Sequence, residues 1–99
     1  MRKAIENPAA VLPLIKTGSE NGVSLAEICR RTGLSPRGVR KSVEALRRSG
    51  TVIASGEKGY YYPAEQSELR QYIQRMERTA RSIFYTLKAA RAALKDYES

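Results

Sequence analysis

Apolar residues at helical spacing dominate the middle of the chain and predict two short helices in succession. The first helix is expected to begin at Ser24, which forms a capping box with Glu27. The second is expected to begin at Ser35-Pro36, a capping serine followed by proline, and to end at Gly50. Its buried stripe consists of Val39, Val43 and Leu46. Gly33 lies between the helices, where a tight turn requires a left-handed residue.

The chain before this pair of helices predicts one more helix. Asn7-Pro8 is typical of an N-cap followed by proline at the first helical position. Pro13 falls inside the apolar pattern, so a kink or a delayed start is expected there. The segment from Thr17 to Gly22 contains two glycines and is predicted to be a helix end and a loop.

After Gly50 the pattern changes to a hairpin. Thr51–Ala54 and Tyr60–Tyr62 are rich in β-forming residues, and Ser55–Gly59 between them has the composition of a turn. The three tyrosines admit two interpretations. They could form a stacking surface for single-stranded nucleic acid, or they could pack the hairpin onto the helices, which ordinary strand alternation favours.

No Gly or Pro occurs from Glu65 to Tyr97, and apolar residues there alternate at spacings of four and three. This heptad seam predicts a helix about 50 Å long, with more apolar surface than its own domain can cover. We therefore expect a domain over residues 1–64 and a dimerisation helix over 65–99. The first third of the helix is expected to fold back on Val11, Leu12 and Ile15. The candidate dimerisation residues are Met76, Ala80, Ile83, Leu87, Ala90 and Leu94.

Positive charge is concentrated in the second predicted helix and the hairpin. Between Arg30 and Lys58 there are eight Lys or Arg residues against Glu44 and Glu57, a net +6 in a chain whose formal total is +8. Such an excess indicates a polyanionic partner, either nucleic acid or an acidic membrane surface. Its position on a helix–turn–helix pattern favours DNA.

Composition argues against several other classes of protein. The chain has no His and a single cysteine, Cys29, which excludes an ordinary zinc site, a His-based catalytic triad and an intrachain disulfide. No apolar run reaches the length of a signal peptide or a membrane span. We expect a cytoplasmic protein that is not an enzyme, without a cofactor, a metal, a membrane partner or an evident small-molecule effector.

The candidate DNA contacts follow from the face of the second helix that lies opposite its apolar stripe. Arg37, Arg40 and Lys41 are assigned to base edges or adjacent phosphates, because the N-terminal half of such a helix enters the major groove. Glu44 could accept from a cytosine or pair with a neighbouring cation. The remaining candidates are Ser35 at the helix start, Arg47 and Arg48 as phosphate contacts or solvated cations, and Lys58 at the hairpin tip.

Residues 8–63 resemble the winged helix–turn–helix DNA-binding domains of bacterial transcriptional regulators, with the IclR-like and MarR-like groups nearest. The matching residues are Ser24–Ile28, Thr32–Ser35, Val39, Val43, Leu46, Gly50 and Gly59-Tyr60. The C-terminal helix is similar to the dimerisation helices of small prophage-type and PadR-like regulators. No effector domain follows the winged helix in this sequence, which departs from the larger members of these groups.

The resemblance implies a mainly α fold of the α+β class with a two-stranded wing, to which the heptad seam adds a long C-terminal helix. It also implies sequence-specific binding of double-stranded DNA by a homodimer that regulates transcription. Two alternatives stay open. The protein could be an accessory factor in DNA replication or recombination, or a protein-interaction adaptor that uses the winged helix without DNA.

Overall fold

The computed structural model describes residues 5–99, which divide into a compact unit that ends at Leu69 and a second unit, Arg70–Ser99. The first unit contains three α-helices, α1 (Pro8–Val11), α2 (Leu25–Thr32) and α3 (Pro36–Arg48). Three short strands accompany them, β1 (Lys16–Thr17), β2 (Ala54–Gly56) and β3 (Gly59–Tyr62). The long helix α4 (Gln66–Glu98) begins in the first unit and makes up almost all of the second. The mainly helical α+β prediction is confirmed.

The core of the first unit lies between the helices and the small sheet. Val11 of α1, Ile28 of α2 and Val39 and Val43 of α3 are almost completely buried, and Ile53 joins them from the segment before β2. Cys29 is half-buried against this core. The predicted stripe of α3 is therefore the side of that helix that holds the unit together.

The ends of α2 and α3 use most of the capping chemistry predicted from the sequence, although the Glu27 carboxylate pairs with Arg30 and not with the N–H of Ser24. The Ser24 hydroxyl accepts a hydrogen bond from the backbone N–H of Glu27 at 3.1 Å, and Gly33 ends α2 with φ of 78°. After α3, the N–H groups of Gly50 and Thr51 donate to the carbonyls of Arg47 and Leu46. This pair of bonds is a Schellman motif, which needs a left-handed residue, and Gly50 has φ of 101°.

The helix predicted at the N-terminus is only one turn long. The Asn7 side chain accepts from the N–H of Ala10 at 3.2 Å, as its predicted cap role requires. The α-helix then changes to a 3-10 turn over Leu12–Leu14, which contains Pro13. Because proline has no N–H to donate, the disturbance expected at Pro13 takes the form of an early end to α1.

The sheet differs from the predicted two-stranded hairpin. β3 lies in the centre, antiparallel to β2 and parallel to β1, with Lys16 opposite Tyr61. Thr17 was expected to lie in a loop but belongs with Lys16 to β1, and the wing strand was expected to end at Ala54. Instead β2 begins at Ala54, so the turn contracts to Glu57-Lys58.

Helix α4 has the predicted length, and its first turn is held by hydrogen bonds to the side chain of Glu68. The Glu68 carboxylate accepts from the backbone N–H of Ala64 at 2.8 Å and from that of Ser19 at 3.0 Å. The hydrogen bond from Ala64 makes the largest contribution and that from Ser19 the next, and together they hold the pKa of Glu68 below its ordinary value of 4.5. Leu69 stays 36% exposed and lies outside the core, so the expected fold-back onto Val11, Leu12 and Ile15 is wrong at this residue.

We expect Glu68→Gln to lower the thermal midpoint of unfolding at neutral pH, because a neutral amide accepts hydrogen bonds more weakly than a carboxylate. Since the folded-state pKa is lowered, the contribution is present above pH 4.5 and disappears as the pH falls through the folded pKa. In circular dichroism melts recorded from pH 7 downward, the difference between wild type and variant should therefore shrink as the pH falls below 4.5. A difference that stays unchanged across the acidic range would contradict this role.

Candidate nucleic-acid interface

The start of α3 is built by local hydrogen bonding. The Ser35 hydroxyl accepts from the N–H of Gly38 at 3.0 Å, and Pro36 occupies the first turn. Ser35 was predicted to lie at the DNA surface. Its side chain is exposed, but its oxygen serves as the helix cap. A phosphate contact by Ser35 would have to share that oxygen with the cap bond.

Three of the predicted contacts lie together on the outward side of α3. Arg37 and Arg40 are exposed and Lys41 is half-exposed, whereas the inward positions are buried. Within residues 5–99, no hydrogen bond or ion pair engages these three cations. They therefore need to break no contact with the described part of the protein before they bind an anion.

Glu44 and Arg48 lie one turn further along and pair with each other. Arg48 Nη2 lies 2.6 Å from Glu44 Oε1, and both side chains are more than half exposed. Of the two roles considered for Glu44, the structure shows the ion pair. An exposed pair at i,i+4 is worth only about 0.3–0.5 kcal/mol, so DNA phosphate can compete for Arg48.

Arg47 has a different position from the other cations of α3. Its Nε donates to the carbonyl oxygen of Ile53 at 2.9 Å, and its side chain is half-buried. This bond gives the Ile53 carbonyl a hydrogen-bond donor and connects the end of α3 to the segment that leads into the wing. Arg47 was predicted to be a phosphate contact or a solvated cation, whereas the structure gives it a positioning role.

The N-terminal segment crosses the side of α3 next to its buried stripe. The N–H of Asn7 donates to Ser42 Oγ at 2.8 Å, and Ser42, which is fully buried, donates to the carbonyl of Gly38 at 2.8 Å. A Cβ on Gly38 would lie 2.2 Å from the carbonyl oxygen of Ile5. This contact was not predicted, although the small residues Gly38 and Ser42 are one turn apart and could have indicated it.

The wing places Lys58 in its two-residue turn, as predicted. Gly59 follows with φ of 115°, and a Cβ there would lie 2.0 Å from the Val23 carbonyl oxygen. Lys58 Nζ lies 2.8 Å from Glu20 Oε2, a partner that was not predicted from the sequence. The hydrogen bond from Lys58 lowers the pKa of the Glu20 carboxyl. A phosphate at Lys58 would share the ammonium group with Glu20 or displace that carboxylate.

The tyrosines of β3 favour wing packing over base stacking. Tyr61 is 3% exposed, and Tyr60 and Tyr62, on the other face of β3, are half-buried against the core. Burial raises the pKa of the Tyr62 hydroxyl, which donates to the Leu12 carbonyl. All three tyrosines are therefore at least partly covered by the domain itself.

The candidate dimerisation residues share one face of the second unit. All of them are exposed in the single chain, and Leu87 is 44% and Leu94 57% exposed. Helical geometry brings them into the predicted seam; they are Met76, Ala80, Ile83, Leu87, Ala90 and Leu94. No residue of α4 is buried.

The part of the chain that the structure describes contains neither a candidate metal-ligand cluster nor a helix that could span a membrane. No group of three or more His, Cys, Asp or Glu residues is placed there to hold a metal ion. No helix in residues 5–99 combines the length and the apolar character that a membrane span needs.

Gly38→Ala should lower the free energy of unfolding by about 1–3 kcal/mol, because its methyl group overpacks against the Ile5 carbonyl. Helix propensity alone predicts the opposite sign, a gain of about 1 kcal/mol. Urea denaturation decides between them. Arg37→Ala, one position away on the exposed side, is the control and should change stability by less than about 0.5 kcal/mol. A Gly38→Ala variant more stable than wild type would rule out the close contact.

Comparison with known proteins agrees with this geometry. Searches of curated proteins and of solved structures find no match. A family model described as an HTH domain matches residues 9–61, a range that runs from α1 through most of β3. The match covers more than half of the chain and includes both helices and the wing. The chain therefore belongs to the HTH domain family, and residues 9–61 are its DNA-binding helix–turn–helix domain.

Proposed function

We propose that this protein is a transcriptional regulator that binds a specific sequence of double-stranded DNA as a homodimer. The observation that carries the proposal is the outward side of α3. There Arg37, Arg40 and Lys41 stand at the N-terminal half of the second helix of a helix–turn–helix domain, with no bond to the described residues. In this class of domain, that half of the helix enters the major groove.

The roles of the individual cations follow from their surroundings. Arg40 is the proposed base reader, because an exposed arginine can donate two parallel hydrogen bonds to guanine. Arg37 and Lys41 contact base edges or phosphates beside it, and Arg48 can leave Glu44 for a phosphate. Lys58 is the proposed backbone contact of the wing. Arg47 acts through Ile53, by keeping the wing in place beside α3.

Homodimerisation is proposed from the apolar seam of α4. Ile83, Leu87 and Leu94 are 44–57% exposed in the single chain, and no described residue of α4 is buried by another element. A second copy would cover the seam and present two reading helices to one DNA. Two linked sites bind far more tightly than one, because the second contact becomes intramolecular.

Binding is expected to depend strongly on salt, with a log–log slope of about −5 to −9 for roughly 5–10 phosphates neutralised per dimer. Arg40→Ala should cost about 1–3 kcal/mol of discrimination between the selected site and random duplex. Lys58→Ala should weaken binding to the selected site and binding to random duplex by the same factor. Lys88→Ala removes the same charge from α4 and serves as the control.

These values come from titrations of a fluorescent duplex, selected beforehand from genomic fragments that the protein retains. A slope near zero, or no binding to any duplex, would favour the adaptor function without DNA. Equal losses on selected and random duplex for Arg40→Ala and Lys58→Ala would show that Arg40 is not a base reader. Tight binding of every fragment without preference would favour the accessory role in replication or recombination.

Leu87→Asp should separate the dimer, because an unpaired charge buried between helices costs several kcal/mol. The helix–turn–helix domain should stay folded, and affinity for the selected site should fall sharply. Ala92→Asp introduces the same charge off the seam and is the matched control. Light scattering and circular dichroism test the two variants. Wild-type protein that is already monomeric at tens of micromolar would refute the dimer.

A further inference from the structure

We propose that two copies of α4 pair antiparallel, in the register that places Ile83 of one copy beside the partner's Leu87. This inference rests on the homodimer proposed above and adds its orientation and register. The occupant of the exposed seam is a second copy of this chain. The arrangement of charge along the two borders of the seam favours this register.

One border of the seam carries all of its flanking charge. In each heptad, one residue directly follows the seam residue Leu69, Met76, Ile83, Ala90 or Tyr97. These following residues are Arg70, Glu77, Phe84, Arg91 and Glu98. These five lie on one side of α4, and within residues 5–99 the four charged ones have no ion-pair partner. The other border is uncharged and consists of Tyr72, Thr79, Thr86 and Ala93.

The charged border is complementary to itself when its direction is reversed. Around Phe84, the order from one end is arginine then glutamate, and from the other end glutamate then arginine. In an antiparallel pair, each border faces the same border of the partner. Arg70 then lies beside the partner's Glu98, and Glu77 lies beside the partner's Arg91, each pair occurring twice by two-fold symmetry.

Other arrangements lose this complementarity. In a parallel pair each border faces the opposite border of the partner, so Glu77, Arg91 and Glu98 would face uncharged residues. An antiparallel pair shifted by one heptad in one direction brings Arg70 to the partner's Arg91. The opposite shift brings Glu77 to the partner's Glu98. Because like charges repel, both shifted registers are disfavoured, and charges at these border positions are known to set the orientation of paired helices.

The same register fills the core of the helix pair. Ile83 packs against the partner's Leu87 on both sides of the axis, and Met76 packs against the partner's Leu94. Ala80 meets the partner's Ala90, which leaves narrow layers. A long side chain on a helix leans toward its N-terminus, so Phe84, 61% exposed in the single chain, leans over Ala80 and covers this layer.

Disulfide trapping in the full chain tests the proposal. In a Cys29→Ala background, Met76→Cys and Leu94→Cys chains with tags of different mass are mixed in a glutathione redox buffer. The antiparallel register yields the mixed disulfide in preference to either like-with-like disulfide. A parallel pair gives the reverse, because Met76 and Leu94 would then each face themselves.

A distance measurement covers the case in which disulfide geometry is poor. A spin label at Gln71→Cys, on the outer side of α4, should report a pair distance of about 40 Å or more in the antiparallel dimer. In a parallel dimer the labels would be within about 20 Å of each other. A short distance, or like-with-like disulfides, would overturn the orientation while leaving the proposed dimer intact.

Charge reversal tests the register itself. Glu77→Lys should raise the dimer dissociation constant about tenfold, because the introduced lysine of each copy would face the partner's Arg91. Adding Arg91→Glu should restore it to within about threefold of wild type, whereas adding Arg78→Glu on the outer side should not. Absence of rescue overturns the register. A wild-type monomer overturns both this proposal and the proposed dimer, whatever DNA binding shows.

Discussion

The burial of one side of α3 is the constraint on which the rest of this domain depends. Val39 and Val43 are almost fully buried against Ile28 and Val11, so the rotation of α3 about its axis is fixed. Arg37 and Arg40 can point outward only because that rotation is set. An arginine that reads a base must be placed to within a fraction of an ångström, and the apolar stripe supplies this placement.

The basic residues of the domain divide into two groups once their partners are known. Arg37, Arg40 and Lys41 carry no bond to the described protein, whereas Arg47 holds Ile53 and Lys58 holds Glu20. The net charge of the sequence does not show which cations have a partner in the folded protein. The cations without a partner among the described residues are therefore fewer than the charge count of the segment indicates, and Arg37, Arg40 and Lys41 lie together at the start of α3.

Local chemistry explains which features could be predicted from the sequence. The caps at Ser24 and Ser35, the turn at Gly33 and the α3 stripe depend on residues within one or two turns of each other. β1 could not be predicted, because two exposed residues, Lys16 and Thr17, are held by a strand more than forty positions away. Arg47 and Ser42 also bond to residues outside α3, so the residue types alone could not predict their roles.

The packing of Gly38 and Ser42 beneath the N-terminal segment has a consequence for how such a protein diverges. The inward positions of α3 accept little change, since Gly38 has no room for a methyl group and Ser42 bridges two backbone groups. The outward positions carry almost none of the fold. After a gene duplication, substitutions at Arg37, Arg40 and Lys41 can therefore accumulate without loss of the folded state. Duplicate copies could then acquire separate target sites while they keep one scaffold.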